Sequence, residues 1–231
     1  MILLAADTSG KNGSIALARA PNDAIGACRA AEVVEVLEVV PLAGGTFSAQ
    51  LVPQIAALLI KHGLGVRDID AFAVASGPGS FTGLRVGLAA IKALAEVLQK
   101  PIAAVSLLEI IARSAKMQGR IVAVLDAGRG EVYVGEYDVG DKTSVCRERL
   151  LPRDELFSRP IEGVIATYDV RIADAARKAG LSVEVVTEPR SDSIARLGWE
   201  RIQAGEIVTP EELEANYIRR SDAEIFAKAS S

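Results

Sequence analysis

Apolar residues along this chain fall into two patterns: short unbroken runs that suit buried strands, and longer stretches repeating at about 3.6 residues that suit amphipathic helices. The run at 2–6 is cut by the polar turn Asp7-Thr8-Ser9-Gly10-Lys11-Asn12-Gly13, after which 14–20 reads as its antiparallel partner and 33–40 as a third strand. Residues 48–62 have helical spacing, with Leu51, Ile55, Leu58 and Leu59 on one side and Gln50, Gln54 and Lys61 on the other. Pro53 either opens or kinks that helix. Residues 71–75 (AFAVA) predict another buried strand, stopped by Gly77-Pro78-Gly79, and a helix over 83–99 follows with Ser80 or Thr82 as its N-cap. A short strand at 102–105 comes next, and Ser106 with Glu109 predicts a capping box for a helix reaching about Met117.

The 83–99 helix has an unusual surface. Its polar residues Arg85, Lys92, Glu96 and Gln99 wind onto one narrow stripe, and every other position is Leu, Val, Ile, Ala or Gly. A helix lying on its own sheet needs an apolar face only ~100° wide or somewhat more. The remainder requires another element of the same domain or another chain, and Gly83, Gly87, Ala89 and Ala93 would let a second helix approach closely. Arg85 stands in the first turn, where a cation opposes the helix dipole; it is either solvated or assigned to a carboxylate or phosphate. The turn before the helix offers free N–H groups to an anion, yet it matches no phosphate fingerprint. No Lys-Ser/Thr follows a G-x-x-x-x-G spacing, and Thr82 stands where the dinucleotide motif wants its third glycine.

The opening pattern then recurs. IVAVLDAGRGEVYVGEYD repeats the design of ILLAADTSGKNGSIALA: apolar strand, terminal Asp, glycine turn, returning strand, with Asp126 matching Asp7 and Gly130 matching Gly13. One repetition of this length implies two similar halves rather than a solenoid. It predicts an α/β protein of two actin-like ATPase (ribonuclease H-like, ASKHA) halves, each a mixed sheet flanked by helices. The halves are 1–104 and 105–231, with the amphipathic helix 191–204, which carries Trp199, able to pack back on the first. In the second half, 145–151, 163–167 and 183–186 read as strands and 170–179 as a helix closed by Gly180. Thr209, Pro210 and Glu212 start a helical turn, and the tail after Arg220 reads as loose.

Composition narrows the function. The chain has 231 residues, 50% apolar and 24% charged, the balance of an ordinary globular protein, and a net charge of −4 that disfavours gripping nucleic acid unaided. Cys28 and Cys146 make no disulfide framework, no apolar run reaches the ~20 residues of a bilayer span, and the first residues lack a signal peptide's basic start. A reduced, cytoplasmic setting is expected.

The run SGPGSFTGLRVGLAAIKALA is similar to the signature of the TsaB family, the non-catalytic subunits of the bacterial machinery that makes threonylcarbamoyladenosine in tRNA. LLAADTS, LDAGRGEVYVGEYD and YIRR resemble further family segments in the same order, so the resemblance spans nearly the whole chain. It implies pairing with the catalytic paralogue TsaD, an ATPase subunit TsaE joining them, and threonylcarbamoyl transfer to adenosine 37 of tRNA, with tRNA met only through the complex. It also implies homodimers when the partner is missing, no membrane association, and no cofactor held by this chain alone, ATP or ADP with magnesium belonging to the complex interface. Helices 48–62 and 83–99 would supply half of an intermolecular bundle, with Phe47, Leu51, Ile55, Gly83, Leu84, Arg85, Val86, Gly87, Leu88, Ala89 and Ile91 as candidate interface residues. Family members often begin the first long helix with His-Ser-Glu; here Phe47-Ser48-Ala49 stands there, and Phe47 is expected to add apolar surface.

Chemistry by the chain alone has weaker support. Asp7, Thr8, Ser9, Asp126 and Arg129 are candidates to face a nucleotide's phosphates, as in a small ATP-dependent phosphotransferase, though each Asp equally serves to cap its own turn. A glycoprotease-like peptidase of the metal-dependent kind needs two helical histidines, and His62 is the only histidine. Ser80 is not in a G-x-S-x-G elbow, so no catalytic residue is assigned and no metal site is expected.

Overall fold

The computed structural model describes residues 1–21, 34–140, 143–216 and 218. Cys28, residue 33, the YIRR segment apart from Ile218, and the tail after Arg220 lie outside them. The described residues form two units, one within 1–106 and 189–215 and the other within 107–188 with 216 and 218. The segment carrying the last helix therefore belongs with the first unit.

In the first unit β1 (Ile2–Asp7), β2 (Gly13–Arg19) and β3 (Glu35–Leu42) make an antiparallel meander. β4 (Ala71–Gly77) and β5 (Ile102–Ser106) add in parallel on the other side of β1, giving the order β3-β2-β1-β4-β5. Parallel neighbours need crossovers, and the two that follow β3 and β4 are α1 (Phe47–Lys61) and α2 (Phe81–Leu98). β4 is buried at every position, which explains why its sequence lacks polar alternation.

The second unit repeats this plan. β6 (Gly119–Gly128), β7 (Glu131–Val139) and β8 (Ser144–Pro152) form the meander, and β9 (Val164–Thr167) and β10 (Val183–Val185) pair in parallel beyond β6. Their crossovers are α4 (Arg153–Phe157), a helix with no sequence signal strong enough to predict it, and α5 (Val170–Lys178). The remaining helices are exchanged between the repeats: α3 (Leu107–Arg113) packs on β6 and β7, and α6 (Ser191–Ala204) packs on the first sheet. Two five-stranded mixed sheets of identical strand order, flanked by helices, make this an ASKHA/ribonuclease H-like α/β fold.

Two boundaries differ from the sequence reading. α3 stops at Arg113, short of Met117: the Ser114 N–H and hydroxyl both donate to the Ile110 carbonyl (2.9 and 2.7 Å), and the Ala115 N–H then turns to Ala112 (3.2 Å). α1 begins at Phe47 and runs unbroken through Pro53. Elsewhere Ser80 caps α2, its side chain accepting from the Gly83 N–H, and Gly180 takes φ +79° just past α5. At 209–212 a hydrogen-bonded turn forms, with Thr209 N–H donating to Glu212 (3.0 Å) and Glu212 N–H to Thr209 Oγ1 (3.3 Å).

The first unit's main core lies between its sheet and the α1–α2 pair. Leu4, Ile15, Leu17 and Phe72 meet Leu51, Ile55, Leu58, Leu84, Leu88 and Ile91 there. α6 covers the opposite face, and Gly198 allows it to close on the strand: a Cβ at that position would lie 2.4 Å from the Ala73 methyl. Among the described residues no helix is long and apolar enough to cross a membrane.

Candidate functional site

The turn between β1 and β2 is buried although it is polar. Asp7, Thr8 and Ser9 are 6%, 3% and 4% exposed. Each polar group is engaged locally, as burial demands: Asp7 Oδ1 accepts from the Ser9 N–H (2.9 Å) and the Ser9 hydroxyl (2.5 Å), and the Thr8 hydroxyl donates to the Gly83 carbonyl (2.7 Å). The Ser80 N–H donates to the Ser9 carbonyl (2.7 Å), tying the turn to the N-terminus of α2.

This docking explains the glycines of the GPGSFTGLRVG run. A Cβ at Gly79 would fall 2.5 Å from the Ser9 carbonyl oxygen, at Gly83 2.0 Å from that of Thr8, and at Gly87 2.3 Å from the Thr8 hydroxyl. Residues four apart share a helix face, so Gly83 and Gly87, with Gly79 just ahead of the helix, form a seat for the turn. Gly83 and Gly87 thus admit a segment of the same chain, not the second helix that their spacing suggested. The start of α1 rests on the same hairpin: a Cβ at Gly13 would meet the Phe47 ring at 2.8 Å, and one at Gly44 would meet the Lys11 carbonyl oxygen at 1.8 Å.

The outward side of α1 is apolar, and that of α2 carries apolar positions beside a charged stripe. Phe47, Leu51, Ile55, Leu84, Leu88 and Ile91, six of the candidate interface residues, are buried in their own unit's core, as are the backbones of Gly83 and Gly87. Phe47 in particular is 7% exposed, because the first residue of α1 falls on its core side; it adds no apolar surface. Only Arg85, Val86 and Ala89 of that set reach the surface, with Val86 half-buried and Arg85 stacked 3.7 Å over the Phe81 ring. Opposite the core, α1 presents Ala49, Pro53, Ala56, Ala57 and Ile60, flanked by Val52, and carries no charge there. α2 presents Ala89, Ala93 and Val97 beside the charged stripe that carries Arg85 and Glu96. Ile60, Val97 and Val52 are 76%, 81% and 54% exposed, unusual for large branched residues grouped on adjacent helices. The sequence signal for these positions was present as the second apolar stripe of each helix, half a turn from the core stripe.

In the second unit the matching turn is more open. Asp126 is exposed, its Oδ1 accepting from the Gly128 N–H (3.0 Å) and its Oδ2 lying 3.5 Å from Arg171. Arg129 stands between Gly128 and Gly130 in a run of left-handed backbone with φ of 72°, 55° and 78°. Arg171 also binds Asp169 (2.9 Å), whose carboxyl it holds below the usual aspartate value while its own pKa rises. Asp7 and Asp126 each first close their own turn, and among the described residues no three acidic, imidazole or thiol groups gather as a metal site. His62 ends α1, and its Nε2 lies 2.9 Å from Glu38, which also binds Lys61 (2.7 Å). Lys61 first and His62 second hold the Glu38 carboxyl below its ordinary value.

Comparison with known proteins places the chain in a family. The family described as TsaD, tRNA N6-adenosine threonylcarbamoyltransferase, matches residues 39–225. The tRNA threonylcarbamoyladenosine biosynthesis protein TsaB of Bacillus subtilis is 36% identical over 59% of this chain and 55% of its own length. Its Escherichia coli counterpart is 27% identical over 75% of this chain and 81% of its own. The solved structure of YeaZ from Pseudomonas aeruginosa superposes with a TM-score of 0.70 at 25% identity, covering 93% of this chain and 99% of that one. With the family match running through both units and the same fold along nearly the full length, the chain belongs to the TsaD family, within its TsaB/YeaZ group.

Proposed function

We propose that this chain is a non-catalytic assembly subunit that pairs with TsaD, with TsaE joining the complex, for threonylcarbamoyl transfer to adenosine 37 of tRNA. The observation that carries the reading is the uncharged outward side of α1 continued by Ala89, Ala93 and Val97 on α2. Leaving such a face in water forgoes ~25 cal/mol for each Å² that a partner would cover. A partner of the same family would present helices of the same design, and two pairs would close into a four-helix bundle. Two copies of this chain would use the same face when the partner is absent. The acidic charge balance supports contact with tRNA through the partner. The self-closed acidic turns support a nucleotide, with magnesium, held by the complex and not by this chain alone. The setting of this work is cytoplasmic.

Mixing with TsaD and reading the mass of the eluted species by size-exclusion with light scattering tests the proposal. Ile60→Asp combined with Val97→Asp should abolish the complex and leave thermal unfolding unchanged. A complex that survives both substitutions overturns the assigned face. ATP turnover by the purified chain that disappears in Asp7→Asn would instead favour an independent phosphotransferase.

A further inference from the structure

We infer that the Asp7–Gly13 turn is the positioning element of the α1–α2 docking face, so that partner affinity is set from inside the first unit. The inference rests on the proposed pairing but uses none of the residues that would touch the partner. Both helices of the face begin on this one turn. α2 is fixed by Thr8 Oγ1 to the Gly83 carbonyl (2.7 Å) and by the Ser80 N–H to the Ser9 carbonyl (2.7 Å). α1 is fixed by the Phe47 ring against Gly13 and by the loop at Gly44 against the Lys11 backbone. The fit leaves no space for a single methyl at Gly13, Gly44, Gly79, Gly83 or Gly87, so a shift of the turn must displace the helix starts with it. The exposed side chains Ile60 and Val97 sit near the far ends of those helices, where a small rotation at the start becomes a larger displacement. Two helices that must interlock with a partner's ridges are sensitive to such displacement.

Thr8 is the lever because its hydroxyl bonds directly to the first turn of α2, at the Gly83 carbonyl. Thr8→Val keeps the shape and removes that bond, and Thr8→Ser keeps the bond. With the partner titrated calorimetrically into folded protein, Thr8→Val should weaken binding on the order of tenfold while Thr8→Ser restores it. Amide exchange over the first turns of α2 should rise in Thr8→Val and not in Thr8→Ser. Gly198→Ala, which strains the first unit on its α6 side, should lower the unfolding temperature without changing affinity. If Thr8→Val does not fold, Thr8→Ala takes its place with the same expectation. Wild-type affinity in Thr8→Val, or an equal loss in Gly198→Ala, overturns the inference while leaving the proposed pairing intact. Absence of any complex with the wild-type chain overturns both.

Discussion

The glycine seat makes a quantitative prediction through Thr8 and Gly87. Gly87 has ordinary helical backbone, so Gly87→Ala gains about 1 kcal/mol of helix propensity if space permits. Space does not permit: the new Cβ would lie 2.3 Å from Thr8 Oγ1, closer than such atoms come in real structures. Overpacking of this kind costs about 1–3 kcal/mol. Displacing the hydroxyl also breaks its bond to Gly83, worth about 1 kcal/mol. The net expectation is a loss of about 1–3 kcal/mol by those combined terms. Thr8→Ala alone loses that bond and a buried methyl, about 2 kcal/mol. In the double variant the hydroxyl and the methyl are both gone, and the nearest remaining atom, the residue-8 Cβ, lies 3.5 Å from the new methyl. Gly87→Ala should therefore stabilise the Thr8→Ala background by about 1 kcal/mol, its propensity term standing alone. The coupling is about 2–4 kcal/mol, at or beyond the upper end for residues in contact. Thr8→Val should give no such rescue, since a methyl replaces the oxygen. The sole tryptophan, Trp199, is buried in α6 of the same unit, so its fluorescence during urea unfolding reports the right region. Additive effects, within about 0.5 kcal/mol, would refute the seat.

Four further outcomes are expected. Leu88→Asp, which places a charge in the core, should unfold the first unit, whereas Ala89→Asp one residue on should leave circular dichroism and melting temperature unchanged. Asp169 caps α5 through the Arg171 N–H (2.8 Å), so Asp169→Ala should cost about 1 kcal/mol at neutral pH. Because Arg171 depresses that carboxyl, its contribution is present above the ordinary value of 3.8 and is lost as pH falls through the lower folded-state value; the variant and parent melting curves should converge there. Gln99 ends α2 with φ +52°, and Gln99→Gly should raise stability by about 0.5–1 kcal/mol in chemical denaturation. Gly198→Ala should lower the melting temperature, and adding Ala73→Gly, which removes the opposing methyl, should recover part of the loss.

The periodicity of this chain determined its elements and its architecture. Two apolar strands ending in Asp7 and Asp126, each returning through a glycine turn, carry enough local information to mark the repeat, and hydrophobic spacing set the long helices to within a residue or two. Short elements escaped: α4 has five residues, too few for a period to show, and α3 ends where the Ala115 N–H turns back to the Ala112 carbonyl. What the sequence could not assign was which apolar side of α1 and α2 faced inward. Apolar residues cover more of each helix than a sheet can hide, and periodicity measures the angle between residues, not the direction in which a helix is laid on its sheet. Only the packed structure decided that Leu51, Ile55, Leu84 and Leu88 enter the core while Ile60 and Val97 face out. It likewise decided that Gly83 and Gly87 receive Thr8, a contact between residues 75 apart in the chain at its hydrogen bond, which no local pattern encodes.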